Sequence, residues 1–194
     1  MKLKFLKIQE SVYCSAEKEL SKKEYQRLVD TAKKQKNEKL VLLLQTICGT
    51  GIRVSEVKYI TSEAVCQGEA VIRLKGKTHT ILLPKKLQKA LKNYIRREKI
   101  LTGPVFITRT GRPLDRSNIW KMMKALCRDA GVDEKKVFPH NLRHLFARCF
   151  YALDKDIAKL ADILGHSSIN TTRIYIITSG VEHRRQLDAL GLVS

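Results

Sequence analysis

The segment Leu40–Cys48, which reads LVLLLQTIC, restricts the fold of this chain more than any other feature. Only Gln45 and Thr46 interrupt its run of apolar side chains. A helix that is apolar on nearly all sides is stable only when it is buried. We therefore predict a buried helix from about Glu38 to Cys48, which the GTG segment Gly49–Gly51 then ends.

Helical signals continue along most of the chain. Ser21 is followed three residues later by Glu24, the capping-box pattern that predicts a helix start at this point. Apolar residues at helical spacing, with glycine or proline near the boundaries, predict the other helices. These are expected to begin at about Ser55 and to cover about Lys86–Glu98, Ser117–Ala130, Pro139–Tyr151, Ile157–Leu164, Ile169–Ile176 and Val181–Ala189.

The pattern changes between Ala64 and Pro84. There, β-branched and apolar residues lie on both sides of a Lys75-Gly76-Lys77 turn, which predicts a hairpin of two short strands. The predicted fold class is therefore mainly α with one small antiparallel β-sheet (α+β). Residues 1–20 have weak periodicity and are expected to form an arm or linker, residues 21–180 one domain, and residues 181–194 a C-terminal helix.

The chain is strongly basic, with 38 Lys and Arg against 19 Asp and Glu and a net charge of +19. This balance predicts a polyanionic partner such as nucleic acid, although charge alone also permits a merely basic protein. The excess is not confined to a tail, because the segment Lys85–Lys99 combines its basic residues with helical apolar spacing. A folded basic surface is expected there instead of a disordered arm.

No segment has the length and apolarity of a membrane span or the apolar centre of a secretion signal. The cysteines are odd in number and far apart, so neither a disulfide framework nor a zinc site is expected. We therefore expect a cytoplasmic protein without a membrane partner. The cysteines are Cys14, Cys48, Cys66, Cys127 and Cys149.

In the segment KVFPHNLRH, Pro139 predicts the start of a helix, because proline is well tolerated in a first helical turn. Spacings of three and four residues then bring His140, Arg143 and His144 to about one face. These side chains form either a basic surface or a site for an anion. A metal site has less support, because no H-E-x-x-H glutamate accompanies the histidines.

Three further segments, GTGIRVSEV, LKGKTH and LGHSSINTTRIY, carry polar residues where apolar periodicity does not require them. These residues are Arg53, Lys77, His166 and Tyr175. Each residue also has a purely structural alternative: Arg53 could pair with Glu56 on the surface, and Lys77 could be a solvated turn residue. His166 could be favoured at a helix C-terminus by the helix dipole, and Tyr175 could be a core aromatic residue.

Together, the segments TGIRVSEV, HNLRHLFA and LGHSSINTTRIY resemble, in this order, the three boxes of the tyrosine recombinases, the family of phage integrases and of Xer-type and Cre-type recombinases. The resemblance runs from about Leu20 to Ala189. It implies the tyrosine recombinase catalytic fold and a site-specific recombinase, or integrase. Such an enzyme cuts and rejoins double-stranded DNA through a covalent 3′-phosphotyrosyl intermediate. The resemblance implies no metal, ATP or other cofactor.

The resemblance also implies catalytic roles for particular residues. Arg53, Arg143 and His166 would stabilise the negative charge that develops on the scissile phosphate, since fixed cations and planar guanidinium donors suit that task. Tyr175 would attack this phosphate and conserve the energy of the broken linkage in the phosphotyrosyl bond.

Two lysines are candidates for the general acid that protonates the departing 5′-oxygen. The family hairpin usually reads glycine-lysine-glycine before a longer turn, whereas this chain has the shorter KGKTH. Lys77 is preferred to Lys75, because it follows Gly76 as the family lysine follows its glycine. The resemblance further assigns His140 to taking or placing the tyrosine proton and gives His144 a buttressing role.

Most full-length family members have an N-terminal core-binding domain of roughly a hundred residues. Only residues 1–20 precede the catalytic region here, so we expect either a catalytic fragment or a naturally short member. In many members the last segment docks on a neighbouring protomer, which implies a monomer in free solution and a homotetramer on paired DNA sites. Strand resealing like that of a type IB topoisomerase and DNA binding without catalysis are the alternative functions.

Overall fold

The structure is a computed structural model that describes residues 19–74, 76–173 and 188–189, with the backbone alone for Leu74 and Lys77. The described part is mostly helical with one two-stranded antiparallel sheet, which confirms the predicted fold class. Two 3-10 helices cover Val54–Tyr59 and Glu134–Lys136. The other elements are α1 (Lys22–Lys34), α2 (Glu38–Thr50), α3 (Ser62–Gln67), β1 (Glu69–Leu74), β2 (Lys77–Leu82), α4 (Lys85–Arg97), α5 (Arg116–Ala125), α6 (Cys127–Ala130), α7 (Pro139–Asp154), α8 (Ile157–Leu164) and α9 (Ile169–Arg173).

Helix α2 lies at the centre of the core, as its sequence predicts. Its side chains Leu43, Leu44 and Ile47 are fully buried, and the helix packs against α1, α4 and α7. Each large aliphatic side chain that is removed from water contributes about 1.5–3 kcal/mol to the hydrophobic stabilisation of the fold. The predicted capping box at the start of α1 is also confirmed, with Ser21 and Glu24 each accepting from the other's backbone N–H.

The end of α2 differs from the prediction. Gly49 stays inside the helix, which ends at Thr50, and Gly51 follows in the left-handed conformation with a φ of 66°. A Cβ atom at Gly51 would lie 2.5 Å from a ring carbon of Phe146 on α7. The backbone conformation and the packing therefore both require glycine at position 51, and it is this residue that stops the helix.

A short helix, α3, precedes the hairpin and is missing from the sequence prediction. Thr61 caps α3 by accepting a hydrogen bond from the N–H of Ala64, and Gly68 ends it with a φ of 88°. Ala64 and Val65, which the sequence pattern assigns to the hairpin region, lie in this helix. A capping threonine and a left-handed glycine therefore decide the local structure, not the apolar residues between them.

The predicted hairpin is confirmed as β1 and β2. Its register places Ala70 opposite Ile81 and Ile72 opposite His79. Ala70, Ile72 and Ile81 are buried, so one face of the sheet packs on the helical core.

The predicted helix Ser117–Ala130 is two helices, α5 and α6, that meet at Leu126. The N–H of Leu126 bonds to the carbonyl oxygen of Met123, a tighter turn than in a regular α-helix. Helix α7 extends one turn beyond its predicted end, to Asp154, and α8 matches its prediction at both ends. The predicted helix Ile169–Ile176 is described only as far as Arg173.

The described chain begins against α7. Leu20 is fully buried, and Arg148 donates to its carbonyl oxygen at 2.6 Å and pairs with the carboxylate of Glu19. Of the predicted C-terminal helix, only residues 188–189 are described. Within the described residues, no helix combines the length and the apolarity needed to cross a bilayer.

The two glycines near the end of α2 provide a matched test of its termination. Gly51→Ala should lower the free energy of unfolding by about 2–4 kcal/mol, because it adds left-handed strain to a clash with Phe146. Gly49→Ala should be neutral or stabilise by up to about 1 kcal/mol, because Gly49 lies in the helix and a Cβ atom there would meet no described atom within 4 Å. Urea unfolding of both variants measures the difference, and equal effects would contradict this account.

Candidate active site

Arg53 lies immediately before the 3-10 helix Val54–Tyr59 and is held by the side chain of Glu56. Its Nη1 donates to Oε1 of Glu56 at 3.0 Å, its backbone N–H donates to Oε2 at 3.1 Å, and its Nη2 donates to the carbonyl oxygen of Gly165 at 3.1 Å. The pair of Arg53 with Glu56 that the sequence offers as an alternative is therefore present, but Glu56 is only 2% exposed, so the pair is not confined to the surface. A buried carboxylate instead fixes the direction of a guanidinium group that stays partly accessible.

Arg143 lies in the second turn of α7 and is 3% exposed. Its Nη1 donates to the carbonyl oxygen of Gly51, and its Nη2 donates to the carbonyl oxygen of Leu164 at 2.8 Å. The same Nη2 lies 2.9 Å from Nε2 of His166. One guanidinium group therefore joins the ends of α2 and α8 to the start of α7.

His166 follows α8 and is oriented from both sides of its ring. Because arginine only donates, Nε2 accepts from Arg143, and the ring proton lies on Nδ1, which is 2.8 Å from Oγ1 of the buried Thr172. Burial lowers the pKa of His166 to about 4, and the charges of Arg143 and Arg53 act in the same direction. The imidazole is therefore neutral at pH 7.

His140 and His144 lie one turn apart on α7, as their spacing predicts. Their rings meet edge to face, with centroids 4.4 Å apart and an interplanar angle of 75°. Burial, followed by the charges of His140, Arg148 and Arg143, lowers the pKa of His144 to about 4. Desolvation in the cleft and then the charges of Arg143 and Arg116 lower the pKa of His140.

These groups line one open cleft with a volume of about 580 Å³. Four residues with predicted catalytic roles contribute to its wall, namely Arg53, His140, Arg143 and His166. The cleft also contains Arg116 and Trp120 from α5, which the sequence analysis does not identify. Lys124 lies over the Trp120 ring, 5.1 Å from its centroid, so the α5 side of the cleft is also cationic.

The structure gives no side-chain position for three of the residues considered for catalytic roles. Tyr175 and the alternative lysine Lys75 lie outside the described residues, and Lys77 is described by its backbone alone, at the start of β2. Two residues further along β2, Nε2 of His79 lies 3.5 Å from Oε2 of Glu56. The start of β2 is therefore close to the side of the cleft that holds Arg53.

The sequence analysis misses three residues that shape the site, namely Glu56, His79 and Thr172. Glu56 is predicted only as a possible surface partner of Arg53, and His79 and Thr172 have no predicted role. Thr172 lies inside the LGHSSINTTRIY segment, so its place near His166 is the one signal that the sequence offers. The contact of Arg53 with Gly165 spans 112 positions of the chain, which no local pattern reports.

The cleft is chemically suited to an oxyanion. Arg53, Arg143 and Arg116 contribute guanidinium groups, while the buried carboxylate of Glu56 is directed to Arg53 and His79. Planar guanidinium donors match the geometry of phosphate oxygens. Among the residues that the structure describes, no group of three His, Cys, Asp or Glu side chains is arranged to hold a metal ion.

Comparisons with known proteins agree on one protein family over most of the chain. The model of the phage integrase family matches residues 18–179. Tyrosine recombinase XerA of Pyrococcus furiosus is 32% identical over 166 residues, which cover 81% of this chain and 56% of XerA. Tyrosine recombinase XerH of Campylobacter jejuni is 31% identical over 170 residues, which cover 80% of this chain and 47% of XerH. The chain thus spans about half the length of these relatives.

Solved structures show the same fold. The crystal structure of XerA recombinase aligns with a TM-score of 0.75 and 26% identity over 91% of this chain and 64% of that one. XerH bound to its difH substrate gives a TM-score of 0.71 at 23% identity, over 91% of this chain and 53% of XerH. A lambda integrase dimer bound to a COC′ core site aligns with a TM-score of 0.66 at 18% identity, over 84% of this chain and 60% of that one. The described domain therefore has the tyrosine recombinase catalytic fold.

The lowered pKa values predict a specific dependence of stability on pH. A histidine with a pKa of about 4 in the folded state and about 6.5 in the unfolded state favours folding fully only above pH 6.5. The unfolded state binds more protons between these values, so the free energy of unfolding falls as the pH falls. From pH 7 to pH 5, His144 should contribute a loss of about 1–2 kcal/mol. His144→Gln should flatten this part of the curve in urea unfolding, and an unchanged slope would contradict the assignment.

Proposed function

Because this chain belongs to the phage integrase family, we propose that it is a site-specific recombinase that cuts and rejoins double-stranded DNA through a covalent 3′-phosphotyrosyl intermediate. The observation that carries this proposal is the convergence of Arg53, His140, Arg143 and His166 on one cationic cleft. These residues come from segments far apart in the chain, and packing of the core alone does not require their convergence. The DNA-bound structures of XerH and lambda integrase support DNA as the partner.

The cleft would bind the scissile phosphate with groups that are already oriented. Strand transfer places additional negative charge on the non-bridging phosphate oxygens, and donors fixed before the reaction stabilise that charge without reorganising. Glu56 and the carbonyl oxygen of Gly165 direct Arg53, while two helix-end carbonyl groups direct Arg143. These bonds fix the planes of both guanidinium groups before a phosphate binds.

His166 would supply a third donor after a change of tautomer. Its Nε2 accepts from Arg143 in the described structure, and its Nδ1 bonds to the hydroxyl of Thr172. A hydroxyl group can either accept or donate, so Thr172 can satisfy Nδ1 when the ring proton moves to Nε2. His166 can then donate from Nε2 to a phosphate oxygen.

The remaining steps belong to Tyr175, Lys77 and His140. The phenolic oxygen of Tyr175 would form a bond to phosphorus while the bond from phosphorus to the 5′-oxygen breaks. Lys77 would protonate that departing oxygen, and His140, whose pKa is lowered, would be neutral and able to take or place the tyrosine proton. Attack by a free 5′-hydroxyl reverses these steps and rejoins the strand.

We further propose that the free protein is a cytoplasmic monomer and that four copies assemble on two paired DNA sites. The lambda integrase structure, which is a dimer bound to a core site, supports assembly on DNA. Strand exchange between two labelled duplexes separates recombination from resealing of a single strand. Covalent capture of DNA separates both of these functions from binding alone.

The decisive experiment concerns the nucleophile. Tyr175→Phe removes the attacking oxygen and keeps the ring, so binding to a nicked suicide duplex from the protein's flanking DNA should persist while the covalent adduct disappears on a denaturing gel. Tyr151→Phe removes a hydroxyl group outside the cleft-lining set and serves as the matched control, which should form adduct at the wild-type level. Adduct formation by Tyr175→Phe would refute the proposed mechanism.

The general acid can be assigned with a substrate whose bridging 5′-oxygen is replaced by sulfur, because a thiolate leaves without a proton. Lys77→Ala should cleave the ordinary substrate at least about 100-fold more slowly and should recover most of that loss on the sulfur substrate. Lys75→Ala is the matched control and should react alike with both substrates. The reverse pattern in rapid-quench kinetics would transfer the role to Lys75.

A further inference from the structure

Helix α4 carries a line of exposed cations along one side, which we call the α4 stripe. Its members follow one another at spacings of four, three and four residues, so they share one side of the helix over about 16 Å. The opposite side of α4 is buried through Leu87, Leu91 and Tyr94. The α4 stripe consists of Lys85, Lys89, Lys92 and Arg96.

The α4 stripe is unfavourable for the helix that carries it. Like charges three or four residues apart repel one another on a helix surface. Lys85 also lies in the first turn, where the helix dipole disfavours a cation, and this turn contains no acidic residue. Helix α1 has Glu24 in its first turn, whereas both helices end in basic residues, so α4 departs from the favourable arrangement in its first turn and in the spacing of its like charges.

Neither folding nor the candidate active site accounts for these charges. In the described part of the chain, the ion pairs of α4 join Arg97 to Glu38 and Glu98, and none of them includes a member of the α4 stripe. None of the described residues that line the cleft belongs to α4. A surface that breaks the charge rules of its own helix without internal compensation is typical of a binding surface.

We propose that the α4 stripe binds the phosphate backbone of duplex DNA beyond the base pairs that lie at the cleft. Duplex DNA carries one negative charge per about 1.7 Å of its axis, so a stripe about 16 Å long faces several phosphates. Lysine and arginine contacts of this kind position DNA without reading its sequence. The proposal rests on the proposed function for the nature of the partner and adds a contact that the catalytic site does not use.

The test compares two variants with the same loss of charge. The first replaces all four members of the α4 stripe by glutamine, and the second replaces four exposed lysines on or next to α1, namely Lys22, Lys23, Lys34 and Lys36. Binding is measured by fluorescence anisotropy against salt, on duplexes of about 15 and about 60 base pairs. On the longer duplex, the α4 variant should lower the slope of log affinity against log salt by about 3–4, while the α1 variant stays near the wild type.

The shorter duplex is added at one equivalent, so that the Tyr175 adduct holds it at the cleft and no second duplex is left for the stripe. On this duplex the α4 variant should bind and form the adduct as the wild type does. Failure of the wild type to bind this duplex would instead refute the proposed function. Equal losses in the α4 and α1 variants on the longer duplex would overturn the α4 proposal, because total charge would then explain them.

Two further measurements distinguish a lost DNA contact from a loss of folding and from a general loss of charge. The α4 variant should be at least as resistant to urea as the wild type at low salt, because its internal repulsion is removed. Acetylation of surface lysines, read by mass spectrometry, should show Lys85, Lys89 and Lys92 protected by the longer duplex and not by the shorter one. Equal acetylation of these lysines with both duplexes would also overturn the proposal.

Discussion

The buried guanidinium group of Arg143 is the interaction on which the rest of this structure depends. It donates to the carbonyl oxygens of Gly51 and Leu164, which lie at or just beyond the C-terminal ends of α2 and α8. Such carbonyl groups have no partner inside their helices and carry partial negative charge. One cation therefore satisfies two helix ends and is itself compensated in the interior. Replacing it with a neutral side chain would leave both carbonyl groups buried without this partner, which is costly.

The same arrangement shows that the requirements of the fold and of the cleft coincide. Gly51 and Gly165 both adopt left-handed conformations, and a side chain at either would meet neighbouring groups at less than 3 Å. Gly165 also accepts from Arg53, so the end of α8 and the turn after it position Arg143 and Arg53. Burial, and after it the neighbouring positive charges, lowers the pKa of the histidines beside them, which favours their neutral, proton-accepting forms.

The elements that depend on interactions between residues close together in the chain are the ones that the sequence predicts. Capping boxes, helical apolar spacing and the hairpin pattern are local, so α1, α7, α8 and the sheet are predicted correctly. The resemblance of three short segments to one family then predicts that Arg53, His140, Arg143 and His166 converge. The errors have two sources: the end of α2 depends on Phe146, which lies far away in the chain, and α3 depends on a single threonine cap.

The structure does not test the predictions for Lys77 and Tyr175. It also does not test the division of the chain into an arm, a domain and a C-terminal helix. All of them concern, at least in part, residues that the structure does not describe. The roles of Glu56 and Thr172 could not be predicted for a different reason. A buried carboxylate that directs an arginine and a hydroxyl that selects a histidine tautomer are recognised only through distances.

The attachment of Glu19 and Leu20 to Arg148 has a mechanical consequence. Arg148 lies five residues after Arg143 on α7, a separation of about 7.5 Å along the helix axis. A continuous helix transmits displacement with little loss over so short a distance. The start of the described chain and the cleft residues Arg143 and His140 are therefore joined through one helix, and a displacement of Glu19 and Leu20 would reach the cleft through α7.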